Sequence, residues 1–365
     1  LTTPSEAISR GRVGRAAVYR WLRRLHVAIF AAAAVPLVVT SLTGALLVFG
    51  HELSALLRPI PAVAPAGEPL APSKLLARVA EQRADVTVWA VTRPAAPDAP
   101  SRLWLSGGAG YLEIDPYSGD ILDHVLPNSS PYDVVRALHR RWLANDKPMA
   151  PITRTIISTA SLMLMVQVVI GLWLWALPGK RLQRLKPAGG GNRRRYWQSL
   201  HLLAGVATSV LLLLVAFTGI SMYWTDSTRA IVETLVGSKV EKLEKPALNG
   251  IAPVADLDAA IAFGRELIPG ARLVSFRPGQ AVHIGLATPD TRVHSLAWIG
   301  DEPLRVLAFF DGREASLATW LWQFKYWLHI GDFAGWPVRV LWIVVGLAPT
   351  FFVVSGLWLY RDRRH

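Results

Sequence analysis

The sequence predicts an integral membrane α-helical protein, with four transmembrane helices drawn from a duplicated unit and two small α+β domains outside the bilayer. Three observations carry this expectation. Residues 27–49, 152–177, 200–224 and 338–360 are apolar runs, each long enough to cross a hydrocarbon core of about 30 Å as a helix. The segments 51–150 and 225–337 between them have the alternation and turn signals of short strands. The two halves also repeat one pattern. Trp21-Leu-Arg-Arg-Leu-His26 leads to Thr43-Gly44 as Trp197-Gln-Ser-Leu-His201 leads to Thr218-Gly219, with the same 18 residues from each histidine to its glycine.

Taken in order, residues 1–25 form a basic arm carrying Arg10, Arg12, Arg15, Arg20, Arg23 and Arg24. The first span, 26–50, is free of charge until His51. The first external domain, 51–150, begins with a Pro/Ala-rich linker and a helix over Ser73 to Arg83 with Ser73 as its cap. Strands are expected at Val86–Val91, Leu103–Leu105, Tyr111–Ile114 and Ile121–Leu122, the last two joined by a tight turn at Asp115 to Asp120. The second span is 151–177, followed by a basic linker over 178–197 with Lys180, Arg181, Arg184, Lys186 and Arg193 to Arg195, and the third span is 198–224. The second external domain, 225–337, repeats the order of the first. Its helix lies near Val254–Leu267, and its strands near Arg272–Phe276, Val282–Leu286, Val293–Ile299 and Arg305–Phe310. The fourth span, 338–360, ends in a basic tail, 361–365.

The Lys and Arg residues explain the orientation as well as the net charge of +13. They cluster on the arm, the linker and the tail, so the positive-inside rule places both termini and the linker in the cytoplasm and the two external domains on the far side. Basic runs that abut membrane spans, with no recognition fold, argue against a nucleic-acid partner and for the lipid bilayer. The chain opens without an apolar signal-peptide core, so the first span is expected to serve as an uncleaved anchor. There is no cysteine, which excludes disulfides, thiolate-ligated clusters and covalent c-type haem attachment.

What remains to carry chemistry is histidine. Two histidines from different helices are what six-coordinate haem iron needs. His26 and His201 sit at one register in the two halves and form the first expected haem pair, with small residues after each (Ala28 and Ala31–Ala34; Ala204, Gly205, Ala207, Ser209) leaving room for a flat macrocycle. His139 and His329, in aromatic-rich amphipathic stretches at Tyr132–Leu143 and Leu317–Ile330, form the second. His51 is the alternative ligand there, since its counterpart Asp226 breaks the repeat. Arg140 and Arg141 follow His139 on the side where the positive-inside rule does not call for them. They suit haem propionates or an anionic chelate, or a solvated face beside anionic headgroups. The expected cofactors are therefore two haem b. With no Gly-x-Gly-x-x-Gly opening a βαβ unit, the electron donor is external, a membrane quinol or a cytoplasmic reductase.

The Leu-His at the start of spans one and three, Tyr111-Leu-Glu-Ile-Asp-Pro-Tyr-Ser-Gly-Asp120 and Leu138-His-Arg-Arg-Trp-Leu143 resemble the PepSY-associated transmembrane family of bacterial inner-membrane proteins, over essentially the whole chain. The resemblance implies PepSY-like external domains. It also implies the activity of the family's siderophore reductases, delivery of electrons to a ferric siderophore of hydroxamate type in the periplasm. Two rival classes are a siderophore permease, which four spans with only interfacial charge make a poor fit, and a non-enzymatic periplasmic binding or regulatory module.

Overall fold

A computed structural model describes residues 4–57, 59, 62–94, 96–145, 148–179, 181–187, 191–300 and 303–362, with the side chains of residues 4–15 and of His51 outside the described set. Lys180, Arg363, Arg364 and His365 also lie outside it. The described chain falls into two compact units.

The first unit is the helical bundle. Helices α1 (Pro4–Leu47), α5 (Met149–Ala176), α6 (Arg193–Ser221) and α10 (Trp336–Arg361) are each long and apolar enough to cross a membrane. The basic arm is thus not a separate segment, since α1 runs through it without a break. Asn192 caps α6, its side chain accepting from the Arg195 N–H, which satisfies one of the donors a helix start leaves open. Helix α1 packs against α5 and α10, and α6 packs against the same two. α1 and α6 therefore stand diagonally across the bundle, with their histidines facing a common interior. Residues such as Val35, Val210 and Val354 remain exposed, as side chains turned toward lipid would be.

Inside, many hydroxyls find carbonyls, among them Thr40, Ser161, Thr208 and Ser221. Pro349 interrupts α10, and beside it the Ser41 hydroxyl of α1 donates to the Gly346 carbonyl and accepts from the Thr350 N–H. A proline frees backbone groups that a neighbouring helix must then satisfy in a medium without water. This one serine does both and ties α1 to α10.

The second unit holds the strands. The order β4-β3-β2-β1-β5-β6-β7-β8 is a single antiparallel sheet made of β1 (Val88–Thr92), β2 (Ser101–Leu105), β3 (Tyr111–Ile114), β4 (Ile121–Val125), β5 (Arg272–Arg277), β6 (Val282–Ala287), β7 (Ser295–Gly300) and β8 (Arg305–Phe310). This corrects the expectation of two separate small domains. The halves join where β1 meets β5, with Val91 opposite Phe276 and Thr92 opposite Ser275. The reason is the edge: a four-stranded sheet leaves β1 and β5 with unpaired N–H and C=O groups, and each satisfies the other.

Helices α3 (Pro72–Gln82) and α8 (Leu257–Glu266) cover one face. One continuous core mixes Leu75 and Val79 of α3, Ala260 and Ile261 of α8, and Val91, Leu103, Leu112, Phe276 and Ile284 of the sheet. Gly264 lets α8 lie directly on β6, for a Cβ there would stand 2.2 Å from the Ile284 Cδ1. Ser73 does not cap α3. Its N–H donates to the Asp258 carboxylate at 2.9 Å and so ties α3 to α8. The expected turn forms as read, with the Asp115 carboxylate accepting from the Tyr117 and Ser118 N–H groups. Two helices escaped the sequence reading, α2 (Gly50–Leu57) and α7 (Thr225–Val236), each short and directly following a span. The amphipathic helices α4 (Pro131–Arg141) and α9 (Leu317–Ile330) lead back into the bundle. Their last residues, from Val134 and Lys325 onward, belong to it.

Candidate functional site

Helices α4 and α9 end on the histidines expected from the sequence, His139 and His329, and the structure brings these two together with ring centroids 6.3 Å apart. Two imidazoles at this separation are near enough to serve one metal centre.

Each ring is held by the Thr-Gly pair of a membrane helix. The Nδ1 of His139 lies 3.0 Å from the Thr43 hydroxyl, and that hydroxyl donates to the Val39 carbonyl at 2.6 Å. The Nδ1 of His329 lies 3.0 Å from the Thr218 hydroxyl, which donates to Leu214, and 3.1 Å from the Val215 carbonyl. A hydroxyl committed as donor, and a carbonyl, can only accept, so Nδ1 carries the proton in both rings and Nε2 keeps its lone pair. That is the tautomer a metal ligand needs. The glycine of each pair makes the approach possible. A Cβ on Gly44 would stand 3.1 Å from the His139 ring, and one on Gly219 3.0 Å from the His329 ring. Burial, and then the neighbouring His329, push the His139 imidazole down to about 4, and burial pushes His329 down as well. Both are neutral, the ligating form, at neutral pH.

His26 of α1 and His201 of α6 line a cavity of about 470 Å³ within the bundle, a size that suits a cofactor. Its walls are apolar, with Phe30, Leu37, Phe352 and Leu357 among them. Ala31, Ala33 and Gly205, from the small residues expected to make room, line it as well. Gly171 and Gly356 add further space. The His201 Nδ1 lies 2.7 Å from the Ser355 hydroxyl, which donates to the Phe351 carbonyl, so this ring is also an Nδ1–H tautomer. The His26 Nδ1 is buried with no hydrogen-bond partner. Arg23 and Arg184 reach the cavity wall, whereas Arg193 stacks over Trp358 and Arg194 pairs with Asp362 at 3.6 Å.

The two pairs lie at separate levels. Thr43 follows His26 by 17 residues on α1, about 25 Å at 1.5 Å per residue. Among the described residues no three His, Asp or Glu side chains gather as a cage for a bare ion; the histidines come in twos. Near His139, Arg140 keeps an exposed side chain, and partial desolvation followed by Arg136, Arg154 and Arg141 lowers its pKa from the usual guanidinium value. Such a cationic group suits an anion. Arg141 donates to the Asn145 carboxamide instead. The backbone of His51 lies in α2, and its side chain is outside the described ones. Sequence reasoning missed Thr43, Thr218 and Ser355, whose hydroxyls contact the histidine rings. The signal for the threonines was present, because the fixed spacing from histidine to Thr-Gly is otherwise unexplained.

The family model of the PepSY-associated TM region matches residues 23–363. The chain belongs to that family. This PepSY-associated protein is a multi-pass membrane protein by the same match and by its four spans. No curated protein matches it closely enough to count as a relative.

Proposed function

We propose that this PepSY-associated protein is a di-haem b reductase of the bacterial inner membrane, passing electrons across the bilayer to ferric siderophores on the periplasmic side and releasing ferrous iron. The observation that carries the reading is the two histidine pairs at two levels of one bundle, one pair with ring centroids 6.3 Å apart and three of the four rings held as Nδ1–H tautomers. His26 and His201 would hold one haem b, and His139 and His329 the other. Bound there, haem supplies one-electron redox chemistry whose potential is tuned by its ligands and their surroundings. The chain's own contribution is to orient four imidazoles, to keep water out with the apolar cavity wall, and to present positive charge at Arg23, Arg184 and Arg140. Reduction favours release because the hard oxygen donors of a siderophore prefer the more highly charged ferric ion.

The basic arm, linker and tail orient both termini to the cytoplasm, which puts the His26/His201 level on the inner side. A quinol or a cytoplasmic reductase would then deliver electrons at that level. The three partnered histidines each take a hydrogen-bond partner from their own half: His139 from Thr43, His329 from Thr218, His201 from Ser355. That pattern supports a duplicated unit in which each half gives one ligand to each pair.

The test is a visible spectrum of the full chain purified in detergent. Two reducible b-type haems per chain are expected. His201→Ala should lose the haem of its level and keep the other, His139→Ala should do the reverse, and the dithionite-reduced protein should reduce a ferric hydroxamate siderophore. Absent haem bands, or haem content unchanged in both variants, would sink the reading and leave a binding or regulatory role.

A further inference from the structure

Three of the four bundle histidines have an acceptor on Nδ1, and the exception has a structural reason. The matching helix segments Val169-Ile170-Gly171 and Val354-Ser355-Gly356 place Ile170 where Ser355 stands for His201. An isoleucine cannot accept a hydrogen bond, so the His26 Nδ1 is left buried and alone. One turn earlier the exchange runs the other way. Phe352, whose ring packs edge-on to His201 at 5.1 Å, corresponds to Gln167. Each half thus has one polar and one apolar residue at these two positions, in opposite order.

Gln167 is already at His26. Its carboxamide nitrogen donates to the His26 backbone carbonyl at 2.7 Å. Gly171, on the same face of α5 one turn on, lies against the ring, where a Cβ would stand 3.6 Å from the His26 Cε1. Both Gln167 and His26 line the cavity. The Gln167 Oε1 is itself buried without a partner. A buried orphan donor and a buried orphan acceptor are each unfavourable, and here one belongs to His26 and the other to the side chain hydrogen-bonded to the His26 backbone carbonyl.

We propose that Gln167 is the positioning residue of His26: its carboxamide oxygen takes the His26 Nδ1–H when the ring turns to present Nε2 to a metal centre in the cavity. The inference rests on the haem reading and goes beyond it. It assigns the two ligands of this level unlike acceptors, an amide for His26 and a hydroxyl for His201. An acceptor on Nδ1 fixes the ring and raises its basicity, and loss of such a partner costs about 10–100-fold in metal affinity.

The experiment is redox titration of the full-length protein in detergent, with haem counted per chain. Gln167→Glu puts a carboxylate on the Nδ1–H, strengthens the donor and should lower the midpoint potential of one haem only. Gln167→Met removes the acceptor, so the same potential should rise and haem retention should fall by about 10–100-fold. Adding Ile170→Ser to Gln167→Met restores an acceptor at the Ser355-equivalent position and should recover both. A merely structural role for Gln167 would move Glu and Met variants the same way and would not be rescued by Ile170→Ser. With two haems bound, same-sign shifts or no shifts overturn the inference while the haem reading stands. A wild-type chain that binds no haem defeats the reading itself, and the inference with it.

Discussion

The threonine hydroxyls at Thr43 and Thr218 each serve two purposes. By donating to a carbonyl of their own helix they satisfy themselves in an apolar medium, and by accepting from a histidine they fix which ring nitrogen is free. Valine has nearly the same shape without the acceptor. Thr43→Val or Thr218→Val should therefore leave the bundle folded, strand a buried Nδ1–H at a cost of about 1–3 kcal/mol, and selectively weaken the haem proposed for the His139/His329 level. Haem content and potential by level would show it; equal loss at both levels would contradict it. At this scale the sequence was partly legible. The histidines announced themselves because ionisable groups beside membrane spans need a reason. Their partners did not, because a serine, a threonine or a glutamine in an apolar helix reads equally well as helix–helix glue. Only the contact tells Ser355 from Ser41: one receives a histidine proton, the other bridges α10 at Pro349.

At the scale of elements, periodicity placed the helices and most strands to within a few residues, since each has a buried face with a clear repeat. Helices α2 and α7 were missed because each follows a span so closely that its pattern merges with the apolar run. The pairing of β1 with β5 was not legible either, for nothing in a strand's own alternation says which edge it will meet. That join rests on fully buried Val91 and Phe276. Phe276→Ala should destabilise the sheet unit by about 3–5 kcal/mol. Limited proteolysis of the full chain across a denaturant series should then release sheet fragments at lower denaturant than in the wild type, with the bundle still intact. Cleavage of both units together, at the wild-type midpoint, would show that the join carries little.

For the whole molecule, composition spoke clearly. Four apolar runs and basic flanks leave few alternatives, and the absence of cysteine turns into a tool. Any thiol introduced is the only one. Asp98→Cys, exposed beside the sheet, should react with a membrane-impermeant thiol reagent in cells whose outer membrane has been permeabilised, while Leu182→Cys, exposed in the linker between α5 and α6, should react only after lysis. The reverse pattern would invert the topology and with it the levels of the two histidine pairs.

The shared sheet also sets a timetable for biosynthesis. Strand β1 ends at Thr92 and β5 does not begin until Arg272, with two bundle helices between them. At a ribosomal pace of roughly 5–20 residues per second, β1 waits about 10–40 s as an open edge before its neighbour exists. During that interval the nascent chain carries a ready template for wrong strand addition. A folding helper on the far side of the membrane would have its greatest effect then, and slowing translation between α5 and β5 would lengthen the hazard without altering any residue of the finished protein.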